Sequence, residues 1–241
     1  MKVEEAAIDE TLEDDENLGT CLSSFVDKGS LESHRYYLAR KTLLEMLKDR
    51  GFAISPADID ITLQEFRIRH SESPSVDGLK ITALHGDDPS IKVLVLFCGP
   101  GIVKVNQIRA IAGDVYNNGT ISSLILVAQS KITSQALKAV NILKFKVEIF
   151  QITDLLVNIT KHDLKPKHQI LSAEEKADLL SKYSIEEKQA SKSKKASEAF
   201  LPRMLQKDAI ARYYGLEKGQ VVKVTYGGEL TQLHVTYRCV W

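Results

Sequence analysis

Phe97-Cys98-Gly99-Pro100-Gly101 follows a short β-branched run and precedes an amphipathic stretch, the place where free backbone N–H groups at a helix start can hold a phosphate. A Walker loop would need Gly-Lys-Ser/Thr after its second glycine, and a dinucleotide fingerprint a third glycine three residues on. Here Ile102-Val103-Lys104 follows, and Pro100 removes a donor, so the segment reads as a tight strand-to-helix turn. Metal-dependent phosphodiester cleavage on an α/β sheet would need an acidic residue and then Glu-x-Lys on the next strand. Glu174-Glu175-Lys176 and Glu186-Glu187-Lys188 have that spacing but fall on expected helices, while the expected strands carry only Lys92 and Glu148. Neither a Gly-x-Ser-x-Gly elbow nor a His-Glu-x-x-His helix occurs. His162 and His168 flank Pro166 without the further ligands zinc requires, and Cys98, with no base beside it in sequence, reads as core. The expectation is no catalytic residue, no metal and no cofactor. A nuclease-like or nucleotide-binding α/β enzyme stands as the competing class.

The elements that position these residues follow from length and pattern. At 241 residues the chain has room for one large domain or two small ones. Its 32 basic and 32 acidic side chains, 44% apolar and 27% charged residues exclude wholesale disorder and a strongly basic nucleic-acid binder. Three cysteines, Cys21, Cys98 and Cys239, are too few and too scattered for a disulfide framework, which points to a reducing compartment. The longest apolar run, Val93 to Cys98, is far short of the roughly 20 residues a membrane span needs, and the first residues lack a signal-peptide pattern.

Neutrality hides a gradient. Residues 1–20 carry eight acids against Lys2, a net of −7, whereas residues 161–241 carry a net of +5. Residues 1–25 read as an acidic solvated tail. A first helix is expected from the N-cap Ser33, with Tyr36, Ala39, Leu43 and Leu47 at helical spacing and Gly51 as its stop; Ser55-Pro56 opens a second, with Ile59, Leu63 and Phe66 behind it. From Ile91 strands alternate with helices: strand 91–97, helix 103–116, strand 121–127, helix 133–143, strand 145–150. That alternation predicts a parallel sheet in a three-layer α/β domain over residues 26–161.

A second, smaller α+β domain is expected over 162–241. A capping box, Ser172-x-x-Glu175, opens a helix through Tyr183; a helix from Asp208 to Tyr214 stops at Gly215; strands follow at 220–226 and 233–240 around Gly227-Gly228. Residues 190–200, small and basic, form an inserted surface loop. Arg203, Arg212, Lys218, Lys223 and Arg238 share the last 40 or so residues with Tyr213, Tyr214, Tyr226, Tyr237 and Trp241. Arginine interleaved with aromatics suits a protein or nucleic-acid interface, and it equally suits tyrosines packing a small core with arginines at the rim.

Several stretches resemble the fifth subunit of eukaryotic nuclear RNA polymerases. They are Ser33-His34-Arg35-Tyr36-Tyr37-Leu38-Ala39-Arg40, residues 152–162, Pro166-Lys167-His168, Leu201-Pro202-Arg203, and Ala211-Arg212-Tyr213-Tyr214-Gly215-Leu216 after Asp208. Gly219-Gln220-Val221-Val222-Lys223 and Val235-Thr236-Tyr237-Arg238 complete the set. The second domain is similar to the H-type assembly polypeptide of archaeal polymerases. The wording of 150–162 and the Cys239-Val240-Trp241 ending most resemble the variant of plant RNA polymerase V, which serves RNA-directed DNA methylation.

The resemblance implies a nuclear, non-catalytic subunit whose N-terminal jaw lies near downstream duplex DNA and whose C-terminal assembly domain grips the largest subunit. It assigns Pro202, Arg203, Arg212, Tyr213, Tyr214, Gly215, Gly219, Gln220, Val221, Val222, Tyr237 and Arg238 to the assembly module. Gln129, Lys131 and Thr133 are assigned to the jaw loop that approaches DNA. The sequence departs from the family's pattern at Asp208-Ala209, where Asp-Pro is usual, at Thr133-Ser134, where Thr-Pro is usual, and through Tyr226 to His234. The last departure favours a specialised polymerase over the messenger-making one. A paralogue serving another nuclear complex is the remaining alternative.

Overall fold

A computed structural model describes residues 30–117, 121–182, 201–227 and 234–241. The acidic tail, the 190–200 loop, Cys21, Tyr183, Glu186-Glu187-Lys188, Gly228 and most of the altered 226–234 stretch lie outside the described residues.

Helix α1, Leu31–Asp49, is capped by Ser30, whose hydroxyl oxygen accepts from the N–H groups of Glu32 and Ser33 at 3.2 and 3.4 Å. The expected cap, Ser33, is instead a buried first-turn residue. Its hydroxyl donates to the Ser30 carbonyl at 2.8 Å and accepts from Arg67 Nε at 3.0 Å. Both serines suit a cap; the extended backbone of Ser30 (φ −62°, ψ 128°) places its side chain ahead of the free N–H groups. Tyr36, Leu43, Met46 and Leu47 are buried along one side of α1, and each such side chain contributes about 1.5–3 kcal/mol by leaving water. The single helix expected after Pro56 is two. Helix α2, Pro56–Ile59, ends at Asp60, and α3, Leu63–His70, starts afresh from a reciprocal capping box between Thr62 and Glu65. Ile59 and Phe66 are both buried, on separate helices, and Ile61 between them is buried as well.

The first sheet has the order β1-β2-β3-β4, with β1 at Ile81–Leu84, β2 at Lys92–Phe97, β3 at Ser123–Ala128 and β4 at Lys146–Gln151. β2, β3 and β4 run parallel, joined by α4, Val105–Asn117, and α5, Ser134–Val140. β1 adds an antiparallel edge that the wholly parallel expectation omitted. Four residues with two side chains exposed give too little periodicity to read. Strand alternation sends Val93, Val95, Phe97, Ile125 and Val127 to the face covered by α1. Leu94, Leu124 and Leu126 go to the opposite face, against Ile108 and Val115 of α4 and Ala136 and Val140 of α5.

The second sheet has the order β5-β7-β8-β6: β5 at Lys167–Ile170, β6 at Arg203–Met204, β7 at Val221–Tyr226 and β8 at His234–Val240. β7 pairs antiparallel with β5 and β8, and β6 pairs parallel with β8. Helix α6, Ala173–Lys182, opens with the expected box, Ser172 N–H to Glu175 Oε2 at 2.8 Å and Glu175 N–H to Ser172 Oγ at 3.1 Å. Helix α7 is Ala209–Tyr213. Met204, Ala211, Leu216, Val222, Val224 and Val240 form a small core between α7 and the sheet. Among the described residues no helix is long and apolar enough to cross a membrane.

Candidate functional site

Helix α7 is short and sharply bounded. Asp208 Oδ1 caps it by accepting from Ile210 N–H at 2.9 Å, and Gly215, at φ +64°, ends it. Ala209 stands at the first helical position, whose N–H needs no helical partner, so the family's proline is dispensable there. The two sheets meet across this helix by an exchange of arginines. Arg50, the residue that closes α1, donates from Nε to the Tyr213 carbonyl at 2.8 Å and from Nη2 to the Arg212 carbonyl at 2.6 Å. These carbonyls are at the C-terminal end of α7, where a cation is favoured. The same guanidinium forms a bidentate pair with Glu148 of β4 at 3.1 and 2.8 Å. Arg212 returns the contact: Nη2 donates to the Ile149 carbonyl at 2.6 Å, Nη1 to Asp154 Oδ2 at 3.1 Å, and its plane lies 4.3 Å from the Phe150 ring centre.

Tyr213 seals the joint within the first core. Its hydroxyl donates to Asp49 Oδ2 at 2.8 Å and accepts from Asn158 Nδ2 at 3.3 Å. Burial, above all, pushes its phenol far above the ordinary tyrosine range. Asn158 also donates to Glu45 Oε2 at 2.7 Å, and Lys161 pairs with the other oxygen of Glu45. A side chain on Gly215 would meet the Arg50 guanidinium carbon at 3.1 Å, so the glycine serves both the turn and the closeness of Arg50.

The assembly residues named from sequence fall into three groups. Arg212, Tyr213, Tyr214 and Gly215 make the joint, with Tyr214 packed edge-on against Tyr213 at 5.2 Å. Val221 and Val222 are buried, and Gly219, at φ +90°, turns the chain into β7 with its N–H on the Val240 carbonyl at 2.9 Å. Pro202, Arg203 and Gln220 are exposed, while Tyr237 and Arg238 are half-buried on β8. Arg238 Nη2 donates to the Tyr226 hydroxyl at 3.4 Å, and Tyr237 lines a 270 Å³ depression with Lys223, Gln169 and residues of α6.

Of the jaw-loop set, Thr133 caps α5 by accepting from Ala136 N–H at 3.3 Å, which explains the residue without DNA. Gln129 is half-buried, and burial, above all, pushes the phenol of Tyr36 up. Lys131 alone of the three is exposed. At the Gly99 turn, the Pro100 carbonyl accepts from the Ser130 hydroxyl. Glu175, the middle residue of the Glu-Glu-Lys run, is committed to the α6 cap. His162 Nδ1 accepts from Leu164 N–H at 3.2 Å, and His168 Nδ1 lies 2.8 Å from the Pro166 carbonyl. Burial raises the thiols of Cys98 and Cys239, which makes both poorer nucleophiles. Among the described residues no group of three or more His, Cys, Asp or Glu could hold a metal ion.

Sequence reasoning missed Arg50, Glu148, Asp154 and Asn158. Arg50 and its carbonyl acceptors are 162 and 163 residues apart, and no local pattern records such a pairing.

Residues 30–115 match the N-terminal domain, and residues 157–240 the C-terminal domain, of RNA polymerase Rpb5. The chain is 58% identical to DNA-directed RNA polymerase V subunit 5A of Arabidopsis thaliana, over 92% of this chain and 95% of that one. It is 57% identical to Arabidopsis DNA-directed RNA polymerases IV and V subunit 5B, over 89% and 94%. It is 35% identical to Caenorhabditis elegans DNA-directed RNA polymerases I, II, and III subunit RPABC1, over 87% and 97%. With both domain matches in order and such coverage at this identity, the chain belongs to the Rpb5 family, the non-catalytic fifth subunit of multi-subunit RNA polymerases.

Proposed function

We propose that this chain is the fifth subunit of a nuclear RNA polymerase V, the enzyme of RNA-directed DNA methylation. One observation carries the reading: identity of 58% to a polymerase V subunit against 35% to a subunit shared by polymerases I, II and III. The C-terminal domain, residues 162–241, docks on the largest subunit through the outward members of the assembly set, Pro202, Arg203, Gln220, Tyr237 and Arg238. Their exposed or half-buried positions support this, and the buried members hold the module in shape. The N-terminal domain, residues 26–161, is a three-layer jaw, with α1 over one sheet face and α4 and α5 over the other. It lies near downstream duplex DNA with the exposed Lys131 on its loop, adding nonspecific attraction for phosphate. The joint between Arg50 and Arg212 ties the DNA-side domain to the docking domain.

Affinity purification of the tagged full chain from nuclei, followed by mass spectrometry, tests the reading. The polymerase V largest subunit should be enriched well above the polymerase II largest subunit. Recovery without any polymerase largest subunit overturns it.

A further inference from the structure

Arg40 lies midway along α1 and is half-buried, and two of its guanidinium nitrogens, Nε and Nη1, are shut off from solvent with no acceptor among the described residues. Nor does its charge have an ion-pair partner among them. Taking a charge out of water without a counter-charge is costly, and burial accordingly pulls Arg40 below the ordinary arginine value. Its neighbours add to the imbalance. Arg69 and His70 form the last turn of α3; Arg69 pushes Arg40 further down, and burial with Arg40 and Arg69 depresses His70. Cations suit the C-terminal end of a helix, which accounts for Arg69 and His70 but not for Arg40. The carboxylate facing them is Asp58 of α2, whose Oδ1 is 4.0 Å from Arg69 Nη1, with both side chains about half exposed. A pair so open to water is worth little. Two guanidiniums and a histidine thus share one distant carboxylate at the corner where α1, α2 and α3 meet.

The same chain carries the missing charge. Residues 1–20 hold Glu4, Glu5, Asp9, Glu10, Glu13, Asp14, Asp15 and Glu16 against Lys2, and they lead into α1 at its cap, Ser30. From Ser30 to Arg40 is about 15 Å of helix, and the chain from Glu16 to Ser30 can span up to about 50 Å. Every acid from Asp9 to Glu16 is therefore within reach. Tethering also gives these carboxylates an effective concentration of about a millimolar at the corner, well above that of a separate partner in solution.

We propose that a carboxylate from the acidic segment at residues 9–16 seats on Arg40 and Arg69 beside His70, supplying in cis the counter-charge that the folded domain lacks. This goes beyond the polymerase reading and does not depend on it. Charge complementarity and chain length select the occupant: the eight acids attached to α1 would repel a nucleic-acid phosphate from the same corner, whereas one of their own carboxylates meets two guanidiniums that outweigh Asp58.

The purified full chain, a chain lacking residues 1–20 and the Arg40→Met/Arg69→Gln double variant of the full chain are compared by NMR, with their melting temperatures measured alongside. A nearby carboxylate favours the charged imidazole, so His70 should titrate about half a pH unit or more higher in the full chain than in the chain lacking residues 1–20. A spin label carried by Thr11→Cys, with Cys21, Cys98 and Cys239 replaced by alanine, should broaden the His70 ring and Arg40 Nε–H signals, and Arg40→Met/Arg69→Gln should abolish the broadening at His70. If the melting temperature shows the double variant misfolded, the deletion and the label on the otherwise native chain decide. Identical His70 titration with and without residues 1–20, broadening no stronger at His70 than over the remaining surface, or broadening that survives Arg40→Met/Arg69→Gln in a folded chain overturns the proposal. So does inorganic phosphate that shifts the His70 titration equally in both chains, which would mark the corner as an open anion site.

Discussion

The joint at α7 and the outer end of the second sheet are built from the same residue types. Arg212 lies 4.3 Å over Phe150 at the joint, and Arg203 lies 5.1 Å over Trp241 at the outer end. Their surroundings differ. At the joint, Arg50 and Glu148 side chains are 9% and 17% exposed, and every strong donor described there has a protein acceptor within the chain. At the outer end, the indole and Leu205 face solvent beside two cations. Arginine interleaved with aromatics therefore marks two different things in one domain. Where the chain closes over the cluster, it holds the fold together; where it does not, the aromatic surface stays open to water.

The largest expected effect that would break this contrast is at Arg50. Arg50→Ala leaves the Glu148 carboxylate poorly solvated and the α7 carbonyls without their cation, so it should lower unfolding free energy by about 3–5 kcal/mol. Urea denaturation measures it, and a loss no greater than that of Trp241→Ala would show the joint to be no more structural than the outer patch. Next is Gly215→Ala. A left-handed backbone costs an L-residue about 1–2 kcal/mol, and the new methyl must displace the Arg50 guanidinium from 3.1 Å. The same denaturation series should place it below Arg50→Ala, and the double variant should lose less than the two single losses together because both act on one contact.

The smallest effect is on pH dependence and separates the second sheet from both arginine clusters. Burial is the main cause that depresses His168 below its ordinary value of 6.5, outweighing the Pro166 carbonyl that favours its charged form. The unfolded chain then binds the proton at higher pH than the folded one, so stability is complete above about pH 6.5 and falls as acid carries the solution through the ordinary histidine range. His70, depressed by burial and by Arg40 and Arg69, acts in the same direction in the first domain. Melting temperature should fall between neutral pH and mild acid, and His168→Gln should flatten that fall where Trp241→Ala leaves it unchanged. An equal slope in His168→Gln would assign the acid sensitivity elsewhere.

Much of the fold was legible because it rests on local periodicity. The strands at 92–97, 123–128 and 146–151, the crossover helices between them, the Ser172/Glu175 box and the Gly215 stop follow from side-chain alternation, caps and backbone chirality. The choice between Ser30 and Ser33 as cap, the break between α2 and α3, and the short β1 were decided by packing, since each sequence segment fits both outcomes locally.

Stretches resembling known polymerase subunits were enough for the family and for the order of its two domains. They also brought together the stretch Ala211-Arg212-Tyr213-Tyr214-Gly215, but not what that stretch touches. Folding in three dimensions turned Arg212 and Tyr213 inward to Ile149, Asp154 and Asp49 and kept Arg203 and Trp241 outside. The reason is physical: a hydrogen bond between residues 58 to 164 positions apart leaves no trace in local pattern, and whether a charge is buried depends on which distant surface closes over it.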